Sequence, residues 1–134
     1  MSQSILVIED DREIASTIIG MLEAAEYDVR HATNGIDGQK IIQAEEIDLV
    51  ITDMMMPVLD GAELARALRS SETHRTIPII MMTSLPSAVP RHQDLFDAIL
   101  RKPFSPDLLL TALRGCLADT QRLRDDDGES TVGQ

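Results

Sequence analysis

The feature that most constrains the fold is a set of short, unbroken apolar runs separated by segments with helical spacing. The runs Ile5–Ile8, Asp48–Thr52 and Ile77–Met82 are rich in β-branched residues, and continuous runs of this length are typical of strands buried on both faces. Tyr27–Ala32 alternates apolar and polar residues, which predicts a half-exposed edge strand, and Ala98–Leu100 is a weaker fifth candidate.

Apolar residues recur at helical spacing in the segments between the strands. Ile14, Ile18 and Leu22 lie four residues apart and predict the first helix. The same reasoning predicts helices over three further segments: 36–44, 64–68 and 106–117. The last of these follows Ser105-Pro106, a typical helix start with serine as the cap and proline at the first position.

The stretch from Ser84 to Phe96 gives the weakest signal. It contains Pro86 and Pro90, and proline resists the interior of a helix because it lacks an N–H donor. Any helix here is expected to begin at or after Pro90 and to be short. The alternation of strands and helices then predicts one α/β domain with a parallel sheet and helices on both faces.

Length and composition set the domain boundaries and the kinds of partner. At 134 residues the chain suits a single domain. We expect that domain over residues 1–118, followed over 119–134 by a polar acidic tail or the start of a linker, because only Leu123 and Val132 are large apolar residues there. With 12 basic against 23 acidic residues the net charge is −11, which disfavours binding to nucleic acids or anionic membranes.

Other sequence features predict a cytoplasmic protein without disulfides. No apolar run approaches the roughly 18 residues of a membrane-spanning helix, and the single Cys116 has no partner for an intrachain bridge. The three histidines, His31, His74 and His92, show no ligand spacing and are interpreted as structural or surface residues.

Chemically useful side chains follow the carboxyl ends of the predicted strands. Glu9 and Asp10 follow the first strand, Asp53 ends the third, Thr83 ends the fourth and Lys102 follows the fifth. In an open parallel sheet these ends meet at one edge, where ligands bind. Crowded carboxylates repel one another and favour a hard divalent cation, for which Mg²⁺ is the natural choice.

Four of these segments together resemble the receiver domains of bacterial two-component response regulators. They are Ile5–Asp11, Asp48–Gly61, Ile79–Ser84 and Lys102–Phe104, and the match runs in register from about Ser4 to Leu117. The resemblance implies a flavodoxin-like (βα)5 doubly wound sheet of strand order 2-1-3-4-5, here with a shortened or irregular fourth helix.

The resemblance also implies roles for the residues at the strand ends. Asp53 would accept a phosphoryl group from a histidine kinase or a histidine phosphotransfer protein. Asp10 and Asp53 would bind Mg²⁺ together with the backbone carbonyl of Met55, and Glu9 would act through water. Lys102 would pair with the phosphoryl oxygens, and Thr83 would donate a hydroxyl hydrogen bond.

As a member of this family the chain would be a signalling domain rather than an enzyme with a separate substrate. It would regulate a downstream effector protein or an output domain, and the family allows a homodimer. One departure from the pattern is Ile99, where the family usually carries an aromatic residue three positions before the lysine.

Three other classes compete with this interpretation. An aspartyl-phosphate phosphatase would need a second acid at position 55, which is methionine. A flavin-binding protein would need a small-residue phosphate loop after the first strand, where Glu9, Asp10 and Asp11 would repel phosphate. A pseudo-receiver, an interaction module not controlled by phosphorylation, would be expected to lack the acceptor, the metal acids or the lysine, and all of them are present.

Overall fold

The computed structural model describes residues 2–56, 58–84 and 93–132, which form five strands and four helices. A short 3₁₀ turn, Gln93–Leu95, precedes the last strand. The strands are β1 Ser4–Ile8, β2 Asp28–Ala32, β3 Leu49–Asp53, β4 Ile79–Thr83 and β5 Ala98–Arg101. The helices are α1 Arg12–Ala24, α2 Gly35–Ala44, α3 Gly61–Arg69 and α4 Pro106–Val132.

The five strands form one parallel sheet in the order β2-β1-β3-β4-β5. This confirms the predicted α/β class and the strand order 2-1-3-4-5. The central strands β1 and β3 are buried along most of their length, as their unbroken apolar sequences require. β2 lies at an edge and is largely exposed, which explains its alternating pattern.

Alternate residues of each strand pack on opposite faces of the sheet because successive side chains point to opposite sides. Leu6 and Ile8 of β1 belong to the apolar cluster covered by α2 and α3. Ile5 and Val7 belong to the cluster covered by α1 and α4. Helices therefore cover both faces, as the doubly wound prediction requires.

Side-chain caps fix where each of the helices begins. Asp11 accepts hydrogen bonds from the backbone N–H groups of Glu13 and Ile14 and caps α1. Asn34 caps α2, and Asp60 caps α3 through a reciprocal box with Glu63. Ser105 accepts a hydrogen bond from the N–H of Leu108, which confirms the predicted start of the last helix.

The segment between β4 and β5 and the chain after Leu117 carry the two remaining sequence predictions. The short fourth helix predicted at or after Pro90 begins among residues 85–92, which lie outside the described residues; the 3₁₀ turn Gln93–Leu95 is the helical structure described directly after them. The last helix continues to Val132, well beyond the apolar face that ends near Leu117. Buried side chains are described along it as far as Thr120.

The end of α1 contains a residue in an unfavourable backbone conformation. The N–H of Tyr27 donates to the carbonyl of Leu22, and the N–H of Glu26 donates to that of Glu23, which together form a Schellman motif. Glu26 occupies the left-handed position with φ of 72°, where glycine is usual because a Cβ crowds the following carbonyl oxygen.

We therefore expect Glu26→Gly to stabilise the protein by about 0.5–1 kcal/mol, the relief of left-handed strain less the added flexibility of the unfolded chain. The matched control is Glu23→Gly, which introduces glycine within the last turn of α1 and should destabilise by about 0.5–1 kcal/mol. Urea unfolding midpoints measure both. A lower midpoint for Glu26→Gly than for wild type would contradict the assignment of strain.

Candidate functional site

Three carboxylates meet at the carboxyl edge of the sheet because β1 and β3 are neighbours. Ile8 pairs with Thr52 in the parallel ladder, so Glu9 and Asp10 leave β1 beside Asp53. One oxygen from each of the three carboxylates lies within 4.8 Å of the others. Glu9 is buried, Asp53 is half-buried and Asp10 is exposed, so the cluster opens to solvent on the side of Asp10.

Like charges at this separation repel strongly. Two unit charges about 4.8 Å apart interact by roughly 3 kcal/mol at an effective dielectric constant of 20. The cluster therefore requires a positive charge, and its donor atoms are the hard oxygens that Mg²⁺ prefers. The convergence of acidic side chains expected from the sequence is thus present.

Lys102 supplies a positive charge from the far side of the site. Its Nζ donates to Glu9 Oε1 at 2.9 Å and to Asp53 Oδ2 at 3.1 Å. The backbone N–H of Lys102 donates to the carbonyl of Thr83 at 2.8 Å, which fixes the base of the side chain beside β4. The long lysine stem then spans β4 to reach the two carboxylates, and its side chain is only 18% exposed.

Burial and the hydrogen bonds of this ion pair shift the pKa values of Glu9 and Lys102 in opposite directions. Burial raises the pKa of Glu9, repulsion from Asp53 adds to the rise, and hydrogen bonds from Lys102 and the Asp11 N–H limit it. Burial alone would lower the pKa of Lys102, but the hydrogen bonds and negative charges of Glu9 and Asp53 outweigh burial and raise it. Lys102 therefore keeps its charge, whereas Glu9 takes up a proton more readily than an exposed glutamate.

The Thr83 hydroxyl and the Met55 carbonyl, to which the resemblance assigns roles, lie at the same edge of the sheet. Thr83 is buried at the end of β4, one residue beyond Met82, the ladder partner of Asp53. The carbonyl of Met55 belongs to the loop that leaves β3 directly after Asp53. The Lys102–Pro103 peptide bond, which follows β5 at this edge, is cis.

The three consecutive methionines after Asp53 do not share one environment. Met54 and Met56 are buried in the cluster under α2 and α3, as expected of hydrophobic packing residues. An apolar side chain in this run predicts packing for Met55 too, and that prediction is wrong, since 62% of the residue is exposed. The chain has left the sheet at this point, so Met55 faces solvent while Met56 turns back beside the hydroxyl of Thr52.

Gly61 holds the loop after Asp53 in place, a role not visible from sequence reasoning. Its N–H donates to the carbonyl of Met54, and a Cβ at this position would lie 2.6 Å from the Asp53 carbonyl oxygen. Only glycine lets α3 approach the end of β3 this closely. The sequence signal was the Asp60-Gly61 pair, which marks a helix start but not its contact with Asp53.

A groove of about 580 Å³ adjoins Lys102 on the side of α1. Apolar side chains of α1 and of the segment after β5 form much of its lining, notably Ile14, Ile18, Met21 and Phe104.

No helix in the described ranges is both long and apolar enough to cross a membrane.

A family model and several curated proteins match the sequence of this chain. Residues 5–114 match the family model described as the response regulator receiver domain. The DNA-binding dual master transcriptional regulator RpaA of Synechocystis is 35% identical over 122 residues, which cover 89% of this chain and 51% of RpaA. The chain spans about half the length of the curated relatives it matches.

Two solved receiver domains also resemble this chain. The signal receiver domain of a signal transduction histidine kinase from Syntrophus aciditrophicus is 31% identical, with a TM-score of 0.84 over 90% of this chain and 94% of that one. The receiver domain of sensor histidine kinase PA1611 from Pseudomonas aeruginosa, which has a magnesium ion in its active-site cleft, is 28% identical. Its TM-score is 0.81 over 88% of this chain and 99% of that one. The chain therefore belongs to the response regulator receiver domain family.

Proposed function

We propose that this receiver domain accepts a phosphoryl group on Asp53 in a Mg²⁺-dependent reaction and changes conformation to regulate a partner. The observation that carries the proposal is the position of the Asp53 carboxylate. It lies beside Glu9 and Asp10 on one side and accepts a hydrogen bond from the Lys102 ammonium on the other. A carboxylate with that arrangement has an ammonium group on one side and two acids that could hold a cation on the other, so the negative oxygens of an incoming phosphoryl group would be neutralised from both sides.

The residues at this edge fit a magnesium ion. Asp10, Asp53 and the backbone carbonyl of Met55 would bind it directly, and Glu9 through water, which leaves positions for water and a phosphoryl oxygen, as Mg²⁺ usually requires. When bound, the ion would neutralise charge on the donor phosphate and align it with Asp53. The magnesium ion in the cleft of the PA1611 receiver supports this assignment.

The protein groups then have distinct tasks. An Asp53 oxygen forms a new P–O bond while the P–N bond of a phosphohistidine donor breaks, and the imidazole leaves with the bonding electrons and takes up a proton from solvent. Lys102 stays protonated because its pKa is raised, so it can pair with the transferred phosphoryl oxygens as a point charge. The hydroxyl of Thr83 would donate to the same oxygens and move toward them.

The donor would be a histidine kinase or a histidine phosphotransfer protein acting in the cytoplasm. Such a protein would dock on the apolar groove beside Lys102, the residue whose ammonium reaches Asp53. The regulated partner would be an effector protein or an output domain, since the curated relatives are about twice as long as this chain. We assign residues 1–118 to the receiver domain and 119–134 to a tail or linker, with no direct nucleic-acid contact.

The first prediction concerns the acceptor. Treatment with acetyl phosphate and Mg²⁺ should add one phosphoryl group to the wild-type protein, and Asp53→Asn should gain none because an amide oxygen is a poor nucleophile. Intact-mass spectrometry measures both. Asp60→Asn is the matched control, since asparagine also caps helices and the site is unchanged; it should be labelled like wild type. Labelling of Asp53→Asn would place the acceptor elsewhere.

The second prediction concerns the metal. Mg²⁺ binds the folded cluster and not the unfolded chain, so it should raise the melting temperature, with about 2.7 kcal/mol of stabilisation at 100 times its Kd. Asp10→Asn should lose most of this response, although relief of repulsion can raise its melting temperature without metal. Asp60→Asn again serves as the control. An equal Mg²⁺ response in wild type and Asp10→Asn would remove Asp10 from the site.

The third prediction concerns Lys102. Lys102→Met removes the cation that pairs with the buried Glu9, and we expect a loss of about 2–3 kcal/mol of stability at neutral pH without Mg²⁺. The pKa of Glu9 is already raised and should rise further in the variant. The difference in stability between the variant and wild type should therefore shrink as the pH falls and Glu9 becomes protonated.

Urea unfolding in the presence of a chelator, repeated from neutral to mildly acidic pH, measures this effect. Lys40→Met is the control because Lys40 is an exposed residue of α2, and its effect should be small at every pH. A loss of stability in Lys102→Met that stays constant with pH would show that the ion pair with Glu9 is not its origin.

A further inference from the structure

An edge-strand histidine contacts the backbone next to the proposed metal site. His31 lies on β2 opposite Val7 of β1, and its Nε2 is 2.9 Å from the carbonyl oxygen of Glu9. A carbonyl can only accept a hydrogen bond, so the ring nitrogen at this position carries the proton and donates it.

The contact occurs where the ladder between β1 and β2 runs out. The last paired residues are Ile8 and Ala32, and the N–H of Glu9 donates to the carbonyl of Ala32 at 3.0 Å. The chain then turns toward α2, which Asn34 caps. The carbonyl of Glu9 accepts a hydrogen bond from the His31 side chain, so the Glu9 backbone is held at both its N–H and its C=O.

These two hydrogen bonds hold the backbone from which the side chains of Glu9 and Asp10 extend. The Glu9 side chain points inward and is 1% exposed, whereas Asp10 is exposed at the mouth of the site. The peptide plane held by His31 is the one that joins these two residues. Rotation of that plane would displace the Asp10 carboxylate, and Mg²⁺ tolerates little displacement because it demands near-ideal octahedral geometry.

We propose that His31 is a positioning residue, which fixes the Glu9–Asp10 peptide and thereby raises the affinity of the site for Mg²⁺. The inference rests on the proposed metal role of Asp10. It extends that role to a side chain that does not itself reach the ion, in the manner of outer-shell groups that orient metal ligands. His31 is exposed and belongs to neither apolar cluster, so its substitution should leave the core packing unchanged.

Calorimetric titration with Mg²⁺ alone, at neutral pH, tests the proposal on His31→Ala, His31→Gln and His31→Asn. The amide nitrogen of glutamine can occupy the position of histidine Nε2, whereas that of asparagine falls short. We expect His31→Ala and His31→Asn to bind Mg²⁺ about tenfold more weakly than wild type, and His31→Gln to remain within about twofold. Arg30→Ala is the matched control on β2, because Arg30 pairs with Glu45 away from the site; it should bind like wild type.

The Asp10 variant tests the proposed metal site, and the His31 variants test the positioning role. Should Asp10→Asn bind Mg²⁺ as tightly as wild type, the proposed metal site itself fails, whatever the His31 variants do. Should Asp10→Asn lose binding while His31→Ala keeps wild-type affinity, the positioning role is overturned and the proposed function stands. Equal weakening in His31→Gln and His31→Ala would also overturn it, because the hydrogen-bond donor would not be the cause. A purely structural role would lower the metal-free melting temperature of His31→Ala without changing its affinity for Mg²⁺.

Discussion

The repulsion among Glu9, Asp10 and Asp53 is the constraint on which the functional edge of this domain depends. A parallel sheet with β1 beside β3 brings the three carboxylates together, and their mutual repulsion by itself does not stabilise the fold. Lys102 offsets it with two hydrogen bonds made from the opposite side of β4. Its backbone bond to Thr83 and the capped start of α3 under Asp53 then fix the elements that carry these charges.

Much of the fold follows from local sequence signals. Unbroken apolar runs rich in β-branched residues occur where a strand is covered on both faces, as in Ile5–Ile8. Tyr27–Ala32 alternates because β2 has an exposed face. The order of the strands came from the resemblance to receiver domains and not from periodicity. The candidate site was predictable because residues that end parallel strands must share an edge of the sheet, whatever their distance along the chain.

The remaining features depend on contacts that no local pattern encodes. The left-handed Glu26 could not be foreseen, because a glutamate carries no signal for a positive φ. Exposure of Met55 depends on where the chain leaves the sheet, and the close approach of Gly61 to Asp53 depends on how α3 docks. From sequence His31 is interpreted only as a structural or surface residue. Its acceptor is a backbone carbonyl 22 positions away, and a main-chain partner leaves no trace in the spacing of side chains.

The edge position of β2 has an evolutionary consequence. Nearly every residue of β1 and β3 packs against one of the two helical layers, so these strands can accept few changes without loss of stability. β2 is an edge strand of the described sheet, and its His31 contacts the backbone directly after β1 without filling space in the core. Selection can therefore adjust the site through this exposed strand while the interior of the domain stays the same.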